Sequence, residues 1–429
     1  MIVHMVWPRC EYQNGTRGNR AIDSFWVECT PDEADHLIVP RLSPQQREEL
    51  QDILARNVEQ SPNIFALIAQ DLSSIQPMEP NYPYASLWNA YSPFRELRPL
   101  EIHDLEALRH LDAVSLIVGP QSPTDSRFAR RMRFHQSWYR ANRLGIPYGT
   151  GPRPGSTRLL GSMLPKEAAE RGLNFLNPAI FEVARKRMAQ KDGLVEPFRL
   201  LHNMLASQAM CFNLFGPLVD DPEVATALIR AIFPTEVDRV TRVEIEYAPV
   251  PAHEYLGDNT AFDAFVEYTR PDNRLAFIGI ETKLSEPFSR KEYCSERYRE
   301  LTVSRLSPWS SDAWPAVKII RHNQLWRDHL LVEAMLRHSR SPYVAGRLVL
   351  VRHPQDMTCE KVVADYRLLL RPDDDTFVDL PLDRLVTAWK SSVPSGDEQK
   401  HAWLVGVQER YLQLEDSEAD WQHVHTKAD

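Results

Sequence analysis

The segment 261–284 constrains the fold of this chain most strongly. Two apolar runs, Phe262–Tyr268 and Leu275–Ile280, flank the turn-forming segment Arg270–Arg274. Apolar runs separated by a short stretch rich in Pro, Asp and Asn are typical of paired antiparallel strands. The pattern therefore predicts a β-hairpin whose five-residue loop is centred on Asp272.

This predicted register brings three charged residues together. Asp263 and Glu281 lie nine residues on either side of Asp272, so they are expected to face each other directly. Directly opposed residues project from one face of the hairpin with Cβ atoms about 4.5–5.5 Å apart. Lys283 lies two residues after Glu281 and therefore shares its face. The hairpin is thus expected to hold two carboxylates and an ammonium group in one cluster.

Such a cluster favours a particular chemistry. Two carboxylates at this distance repel each other unless a proton or a cation lies between them. Hard divalent ions such as Mg²⁺ prefer oxygen ligands. A neighbouring ammonium group can orient a water molecule or neutralise charge that develops on a phosphoryl group. The three side chains together indicate a site for phosphodiester hydrolysis.

The same residues resemble a known family. Asp263 followed by Glu281-Thr282-Lys283 at the end of an apolar strand resembles the PD-(D/E)XK nuclease superfamily, in which the motif's proline is often absent, as it is here. A longer likeness to a bacterial group of restriction-endonuclease-like proteins spans about residues 128–415. It rests on the stretches Arg133-Phe-His-Gln-Ser-Trp138, Gly161-Ser-Met-Leu-Pro165, Asn174-Phe-Leu-Asn177, Ser207-Gln-Ala-Met-Cys-Phe-Asn-Leu-Phe-Gly216 and Thr282-Lys-Leu-Ser-Glu-Pro-Phe288.

The resemblance implies a fold and a set of roles. The expected fold is α/β, with a restriction-endonuclease-like core of mixed β-sheet flanked by helices and an N-terminal extension. Asp263 and Glu281 would bind Mg²⁺, for which Mn²⁺ could substitute, and the Thr282 carbonyl would be a third ligand. Lys283 would position or help activate the attacking water and stabilise charge on the pentavalent phosphorus. The reaction would leave 5′-phosphate ends.

Three polar residues, Ser207, Gln208 and Asn213, interrupt the otherwise apolar helix predicted at Arg199–Phe215. Ser207 and Gln208 are expected to be buried there, and a buried polar side chain must find partners. We therefore expect both residues to support the hairpin. In the superfamily, the helix before the first core strand often supplies an acid, but this chain offers Gln208 instead. A fourth acidic ligand is accordingly open.

Two further residues are candidates for supporting roles. Glu246 lies on the predicted first strand, Arg242–Tyr247, where alternation favours a solvent-facing position, although the side chain could instead reach the metal. Gln324 lies on the long predicted helix Pro315–Arg337. In related nucleases a glutamine on the helix after the lysine strand contacts the scissile region, together with a tyrosine that this chain lacks.

Nucleic-acid contacts are predicted for two basic segments. The helix predicted at 127–143 carries six arginines and four aromatic residues in seventeen positions. Basic residues interleaved with aromatics suit a phosphate backbone and unstacked bases. The alternative is an amphipathic helix with buried aromatics and solvated arginines. The second segment is a predicted helix after the hairpin. The candidates in the two segments are Arg130, Arg131, Arg133, Arg290, Lys291 and Arg297.

Composition restricts where the chain can act. A net charge of −9 argues against a sequence-wide electrostatic grip on nucleic acid, so binding needs a local basic face. The five cysteines lack zinc-site or redox-motif spacing, which favours reduced thiols and a cytoplasmic location. Neither an export signal nor a membrane span is expected. We predict an accessory region of unknown role at 1–125 and a nuclease-like domain at 126–429, with its core at about 199–355.

Alternatives to a DNA endonuclease remain open. Acid-x-Lys alone is a weak signal, because Glu398-Gln-Lys400 also matches it within a polar segment. The same fold could serve as a catalytically silent nucleic-acid-binding or interaction module. Paired carboxylates also occur in glycosidases, which need neither metal nor lysine. An accidental cluster on an ordinary hairpin is the remaining reading. If the enzyme cuts both strands of DNA, a homodimer is favoured, because one site cuts one strand.

Overall fold

A computed structural model of the chain describes residues 2–13, 16–28, 65–69 and 114–425, except 116, 192–193 and 290. The chain divides into two compact units, Met1–Pro120 with Gln422–Asp429, and Gln121–Trp421. In the first unit, three antiparallel strands form a sheet in the order β2-β1-β3, with bounds β1 (Ile2–Gln13), β2 (Thr16–Glu28) and β3 (Phe65–Ala69). The role and boundary predicted for an accessory region at 1–125 stay a prediction.

The second unit is built on a five-stranded mixed sheet in the order β10-β9-β8-β7-β6. β6, β7 and β8 are antiparallel neighbours, and β8, β9 and β10 run parallel. A separate two-stranded sheet pairs β4 with β5. The bounds are β4 (Gly149–Thr150), β5 (Leu159–Leu160), β6 (Arg239–Tyr247), β7 (Phe262–Thr269), β8 (Leu275–Lys283), β9 (Tyr343–Arg352) and β10 (Phe377–Pro381).

Helices cover both faces of this sheet, which confirms the predicted mixed sheet flanked by helices. The bounds are α1 (Arg127–Asn142), α2 (Lys166–Glu170), α3 (Pro178–Ala189), α4 (Pro197–His202), α5 (Ser207–Val219), α6 (Pro222–Ile232), α7 (Glu296–Val303), α8 (Trp314–Val317), α9 (Asn323–Leu336), α10 (Met357–Arg367), α11 (Leu382–Ser392), α12 (Glu398–Tyr411) and α13 (Glu418–His425). Among the described residues, no helix has the length and apolar character needed to cross a membrane.

Strand periodicity assigns the residues of β8 to two separate cores. Ile278 and Ile280 belong to the core that contains the α5 residues, whereas Phe277 belongs to the core that contains the α9 residues. Because side chains alternate between the faces of a strand, Glu281 is expected on the α9 face together with Phe277. Thr282 is expected on the α5 face. Successive residues of Glu281-Thr282-Lys283 are therefore expected to project alternately towards α9 and towards α5.

The predicted hairpin and its register are confirmed. The pairs run from Ala264–Ile280 at one end to Thr269–Leu275 at the loop, so they are symmetric about Asp272. The loop closes with a hydrogen bond of 2.9 Å from the Arg270 amide to the Arg274 carbonyl. The position of the loop around Asp272 was therefore sufficient to predict which strand residues pair.

The single helix predicted at 199–215 is wrong, because the chain turns between α4 and α5. At the turn, the Asn203 side chain accepts a hydrogen bond from the Leu205 amide at 3.0 Å. The Asn174 side chain donates to the carbonyls of Leu200 and Asn203 at 2.6 and 3.2 Å. These side chains satisfy backbone groups that a continuous helix would have used itself.

The long helix predicted at 315–337 is likewise two helices, α8 and α9, separated by residues 318–322. His322 donates to the Ala316 carbonyl at 3.1 Å, and Asn323 donates to the Lys318 carbonyl at 3.4 Å. Side chains thus satisfy carbonyls released at the end of α8. The break allows α9 to begin beside the end of β8, where Gln324 contacts the motif.

Candidate active site

The strands β7 and β8 position the predicted motif at the open end of the hairpin, away from its loop. Asp263 lies at the start of β7, and Glu281 and Lys283 lie at the end of β8. β8 is covered on both edges, because it pairs with β7 on one side and β9 on the other. Glu281 and Lys283 are only 4% and 6% exposed, because α9 packs on the face of β8 from which their side chains project.

Gln324, from the first turn of α9, connects the two charged residues of β8. Its Nε2 donates to Glu281 Oε1 at 2.6 Å, and its Oε1 accepts from Lys283 Nζ at 3.1 Å. Lys283 Nζ also lies 3.1 Å from Glu281 Oε1. Gln324 additionally accepts a hydrogen bond of 2.7 Å from the Ser289 amide. These contacts hold the carboxylate and the ammonium group in fixed relative positions. The contact of Gln324 with the scissile region stays a prediction.

Asp263 is held by the residue between the two charges of β8. Its Oδ2 accepts hydrogen bonds from the Thr282 amide at 2.8 Å and from Thr282 Oγ1 at 2.6 Å. Thr282 is fully buried, and its hydroxyl also lies 3.4 Å from the Ser207 carbonyl. The first residue of α5 thereby supports the motif through its backbone. The predicted contribution of the Thr282 carbonyl as a metal ligand stays a prediction.

Glu246 is buried beside Asp263, so its expected solvent-facing position is wrong. The pairs Ile245–Ala264 and Tyr247–Phe262 flank the position where Glu246 lies opposite Asp263. Glu246 is only 7% exposed, and it has a left-handed backbone with φ of 57°. A non-glycine residue rarely adopts this conformation without surrounding contacts that enforce it.

Two side chains fix the strained Glu246. Arg187 donates to its backbone carbonyl at 2.6 Å and to the Ile245 carbonyl at 2.8 Å. Gln208 Nε2 donates to Glu246 Oε1 at 2.5 Å. Gln208 thus contacts Glu246 on β6, and its predicted support of the hairpin stays a prediction. Glu246, Asp263 and Glu281 lie in a row across β6, β7 and β8.

This row of carboxyl groups is electrostatically unfavourable. Burial raises the pKa of Asp263, and burial together with the charge of Asp263 raises the pKa of Glu281 well above its usual range. Burial and the charge of Asp263 also raise the pKa of Glu246 to about 8. Burial lowers the pKa of Lys283, but the nearby carboxylates of Glu281, Glu286 and Asp263 outweigh it, so this pKa is raised overall. The cluster therefore contains three carboxyl groups but only the one ammonium group of Lys283 to compensate their negative charge.

A hard divalent cation fits this arrangement. In the described part of the chain, the hydrogen bonds of Asp263 involve Oδ2 and those of Glu281 involve Oε1, which leaves one oxygen of each carboxylate for another ligand. A positive ion would also relieve the repulsion between the two groups. Within the described ranges, no group of three or more His, Cys, Asp or Glu residues could hold a metal ion. A cation at this position would thus depend on two carboxylates, backbone oxygen and water.

The structure adds two acidic residues that the sequence pattern did not indicate. Glu286 accepts hydrogen bonds from the Ser207 amide at 2.8 Å and from Arg199 at 3.0 Å. Burial raises the pKa of Glu286, but Lys283 and these hydrogen bonds lower it overall. Glu286 falls within the stretch shared with the restriction-endonuclease-like group, which was the available signal. Asp328 lies one helical turn after Gln324, and this spacing could have indicated a shared face.

Two of the three arginines predicted on α1 are bound within the protein. Arg131 donates to Ser417 Oγ and pairs with Glu418, with both distances 2.9 Å. Arg133 pairs with Asp125 at 2.5 Å and donates to Ser162 Oγ at 2.9 Å. These contacts favour a structural role for both guanidinium groups. Arg130 is exposed, so its contact with nucleic acid stays a prediction.

The second basic segment lies beside the site. The Ser289 amide is bound to Gln324, and the Tyr293 amide is bound to Asn323 at 3.1 Å. Lys291 lies between these two attachment points and is exposed. Arg297, at the start of α7, lies 3.4 Å from the Glu300 carboxylate. Arg290 is outside the described residues, so its predicted contact is unexamined, and those of Lys291 and Arg297 stay predictions.

Comparison with known proteins identifies the family of this fold. A family model described as the PD-(D/E)XK nuclease superfamily matches residues 123–413 of the 429-residue chain. The matched range includes the whole five-stranded sheet, the motif at the ends of β7 and β8, and Gln324 on α9. No curated protein and no solved structure matches the chain. The chain therefore belongs to the PD-(D/E)XK nuclease superfamily, and membership implies metal-dependent nuclease activity.

Proposed function

We propose that this protein is a Mg²⁺-dependent DNA endonuclease of the restriction type. The observation that supports the proposal best is the joint placement of Asp263, Glu281 and Lys283 at one end of a family-typical sheet. All three motif residues are present, and Gln324 and Thr282 hold them by hydrogen bonds of 2.6–3.1 Å. A degenerate member of the superfamily would be expected to have lost one of the three.

Asp263 and Glu281 would hold the cation through the oxygens that their hydrogen bonds leave available. When bound, Mg²⁺ polarises a phosphoryl oxygen and lowers the pKa of bound water. Thr282 fixes the carboxylate of Asp263, and Gln324 fixes that of Glu281, so neither side chain must reorganise during the reaction. Mn²⁺ is expected to substitute, because it accepts the same oxygen ligands.

Lys283 would act as a fixed positive charge. Its ammonium group donates to Gln324 and contacts Glu281, and it lies 5.1 Å from the centre of the Phe288 ring. An ammonium group has three protons, so Lys283 can also orient the attacking water or donate to a phosphate oxygen. In that position it stabilises negative charge that develops on the pentavalent phosphorus.

The choice of DNA, the restriction-type role in defence and the cytoplasmic location rest on the family likeness and on composition. A local basic surface is still needed, because the net charge of −9 disfavours binding across the whole molecule. Lys291 is the best placed cation of the described segment, since its neighbours are attached to the start of α9. Cutting of both DNA strands would favour a homodimer, since each chain provides one such site.

The test is cleavage of three DNA substrates by the purified full-length chain. Circular double-stranded, circular single-stranded and linear DNA are incubated with Mg²⁺ or with EDTA. Asp263→Ala and Lys283→Ala are compared with the control Lys390→Ala. Lys390 lies on α11, outside the site, and like Lys283 it donates to a glutamine, Gln408, at 2.6 Å. Mg²⁺-dependent cutting of circles that is lost in the two site variants and retained in the control supports the endonuclease.

Other outcomes would overturn the proposal. Intact DNA binding without cleavage, equal in all variants, would identify a catalytically silent binding module on the same fold. Hydrolysis of a glycoside that survives EDTA and Lys283→Ala would identify the paired carboxylates as a glycosidase site. Cleavage of RNA alone would keep the nuclease and reject DNA as its substrate.

A further inference from the structure

A buried acidic residue on α9 has an unsatisfied oxygen beside the motif. Asp328 is 2% exposed, and within the described residues its Oδ2 is buried and has no hydrogen-bond partner. An unsatisfied buried acceptor destabilises the folded state, so such groups usually have a partner such as bound water or an ion. Asp328 therefore needs an explanation beyond packing.

The position of Asp328 on the helix places it beside the candidate site. It follows Gln324 by four residues, so the two side chains lie on the same face of α9. Gln324 contacts both Glu281 and Lys283. Burial raises the pKa of Asp328 to about 7, the charges of Arg327 and Lys283 oppose this effect, and Asp263 adds to it. Asp328 is thus within electrostatic range of the motif residues.

Another buried acid on the same helix shows that Asp328 is unusual. Glu333 is 5% exposed, but its carboxylate pairs with Arg337 at 2.5 Å. Arg327, the neighbour of Asp328, is instead directed to the ring of Tyr293, with its guanidinium carbon 4.4 Å from the ring centre. α9 therefore neutralises Glu333 internally, whereas in the described part of the chain Oδ2 of Asp328 has no donor.

We propose that Asp328 accepts a hydrogen bond from a water molecule bound to the cation that Asp263 and Glu281 hold. The inference rests on the proposed function. Mg²⁺ retains several of its waters in protein sites, and those waters need acceptors. With only two carboxylates at the cation, an additional acidic acceptor would raise cation affinity without direct coordination. Asp328 is accordingly a positioning residue that tunes binding of the cation.

The experiment measures Mn²⁺ binding to the full-length chain by electron paramagnetic resonance, without nucleic acid. Asp328→Asn is compared with wild type, with Asp263→Asn and with Glu333→Gln as the matched buried-acid control on α9. Asp328→Asn should weaken Mn²⁺ binding about tenfold, as is typical when an outer hydrogen-bond acceptor of a metal site is lost. Its thermal midpoint without metal should be unchanged or higher, because Oδ2 of the buried acid has no hydrogen-bond donor among the described residues.

Each result decides between the alternatives. Unchanged Mn²⁺ affinity in Asp328→Asn, with binding lost in Asp263→Asn, would overturn the inference and leave the proposed function intact. A large loss of stability in Asp328→Asn would also overturn it, because that result indicates a structural acid. If Glu333→Gln weakened binding equally, the effect would not be specific to Asp328. Absence of Mn²⁺ binding in wild type would reject the cation site itself.

Discussion

Two buried polar networks in the same unit differ in how many of their polar side-chain atoms have hydrogen-bond partners. The first, here called the motif network, comprises Asp263, Glu281, Lys283 and Gln324 with Thr282. The second, here called the Arg410 network, joins α1 and the segment before α3 to α5 and α12 and consists of Gln136, Asn174, Asn213, Arg410 and Tyr411.

In the Arg410 network, each side-chain nitrogen and oxygen has a partner. The guanidinium of Arg410 donates to Gln136 Oε1 at 3.2 Å and to the Asn174 carbonyl at 2.7 Å, and it also donates to Asn174 Oδ1. Asn213 donates to the same carbonyl at 3.0 Å and to the Tyr411 hydroxyl at 2.9 Å. The motif network instead concentrates like charges, and the hydrogen bonds seen among the described residues use only one oxygen each of Asp263 and Glu281. A network whose polar atoms all have hydrogen-bond partners is expected to be structural. A network with carboxylate oxygens still available for further ligands is expected to bind one.

This difference also changes how the family likeness is understood. Three of its stretches supply residues of the Arg410 network, namely Gln136, Asn174 and Asn213. Only the last stretch, which begins at Thr282, belongs to the motif itself. Most of the likeness thus describes the scaffold that holds α1, α5 and α12 together. The chemistry depends on a much smaller set of residues.

The largest expected effect is the loss of DNA cleavage when the motif network, rather than the Arg410 network, is altered. Asp263→Asn should lower DNA cleavage by about 100- to 1,000-fold, the scale of losing one group that stabilises the transition state. Stability should be unchanged or higher, because the repulsion of Asp263 with Glu281 and Glu246 is relieved. Cleavage rates and urea denaturation measure the two quantities. Full activity in this variant would show that the motif network is not the active site.

Arg410→Met should have the opposite effect. It removes charged donors from two oxygens of Asn174, so the free energy of unfolding should fall by roughly 3 kcal/mol. Cleavage per folded molecule should be unchanged well below the melting temperature. The exposed Arg384 provides a control variant, Arg384→Met, which should cost little. Activity lost without loss of stability would contradict a structural role for Arg410.

A buried histidine with hydrogen-bond partners on both ring nitrogens, His329, should make the free energy of unfolding depend on pH. His329 is fully buried between the Tyr366 hydroxyl at 3.0 Å and Thr376 Oγ1 at 2.7 Å, and burial lowers its pKa from 6.5 to about 3. The unfolded chain protonates this histidine below 6.5 while the folded chain does not, so stability falls as pH decreases through this window. From pH 7 to 4.5, urea denaturation of wild type should lose about 2–3 kcal/mol more than that of His329→Gln. Equal losses would show that His329 is protonated in the folded protein.

Gln324→Met tests how strongly the motif network depends on its connecting residue. The variant keeps the length of the side chain but loses the contacts with Glu281 and Lys283. Cleavage should fall about tenfold, because residues that orient a metal ligand typically contribute 10- to 100-fold. Steady-state cleavage at several Mg²⁺ concentrations measures the loss. An unchanged rate would mean that Glu281 and Lys283 hold their positions without the amide.

The smallest effect is expected at the second acid-x-Lys sequence. Lys400, near the start of α12, contacts the Asp397 side chain at the N-terminal cap of the helix. Lys400→Met should leave cleavage unchanged and alter stability by less than about 1 kcal/mol, as is usual for an ion pair that water still reaches. Parallel cleavage assays and denaturation curves of the variant and wild type provide the check. A loss of activity similar to that in Lys283→Ala would show that the triplet matters wherever it occurs.

Local patterns in the sequence were sufficient for the hairpin, its register and the family. Period-two alternation in Phe262–Tyr268 and Leu275–Ile280 selects the face of each residue, and the turn residues place the loop. The opposition of Asp263 and Glu281 follows from these short-range rules. A separate local pattern predicted a helix at 127–143, and α1 is observed at Arg127–Asn142.

Contacts between distant segments were decided only by the tertiary structure. Arg131 pairs with Glu418, which lies 287 positions away, so its basic character alone could not distinguish a DNA contact from an internal one. Glu246 is buried because Arg187 and Gln208 contact it. Asp328 shares a helix face with Gln324 on α9, and the position of α9 depends on the break at residues 318–322. Burial depends on which elements pack together, and sequence periodicity describes only one element at a time. The sequence by itself therefore determined the motif and its strands, whereas packing decided which polar groups are saturated and which remain available for chemistry.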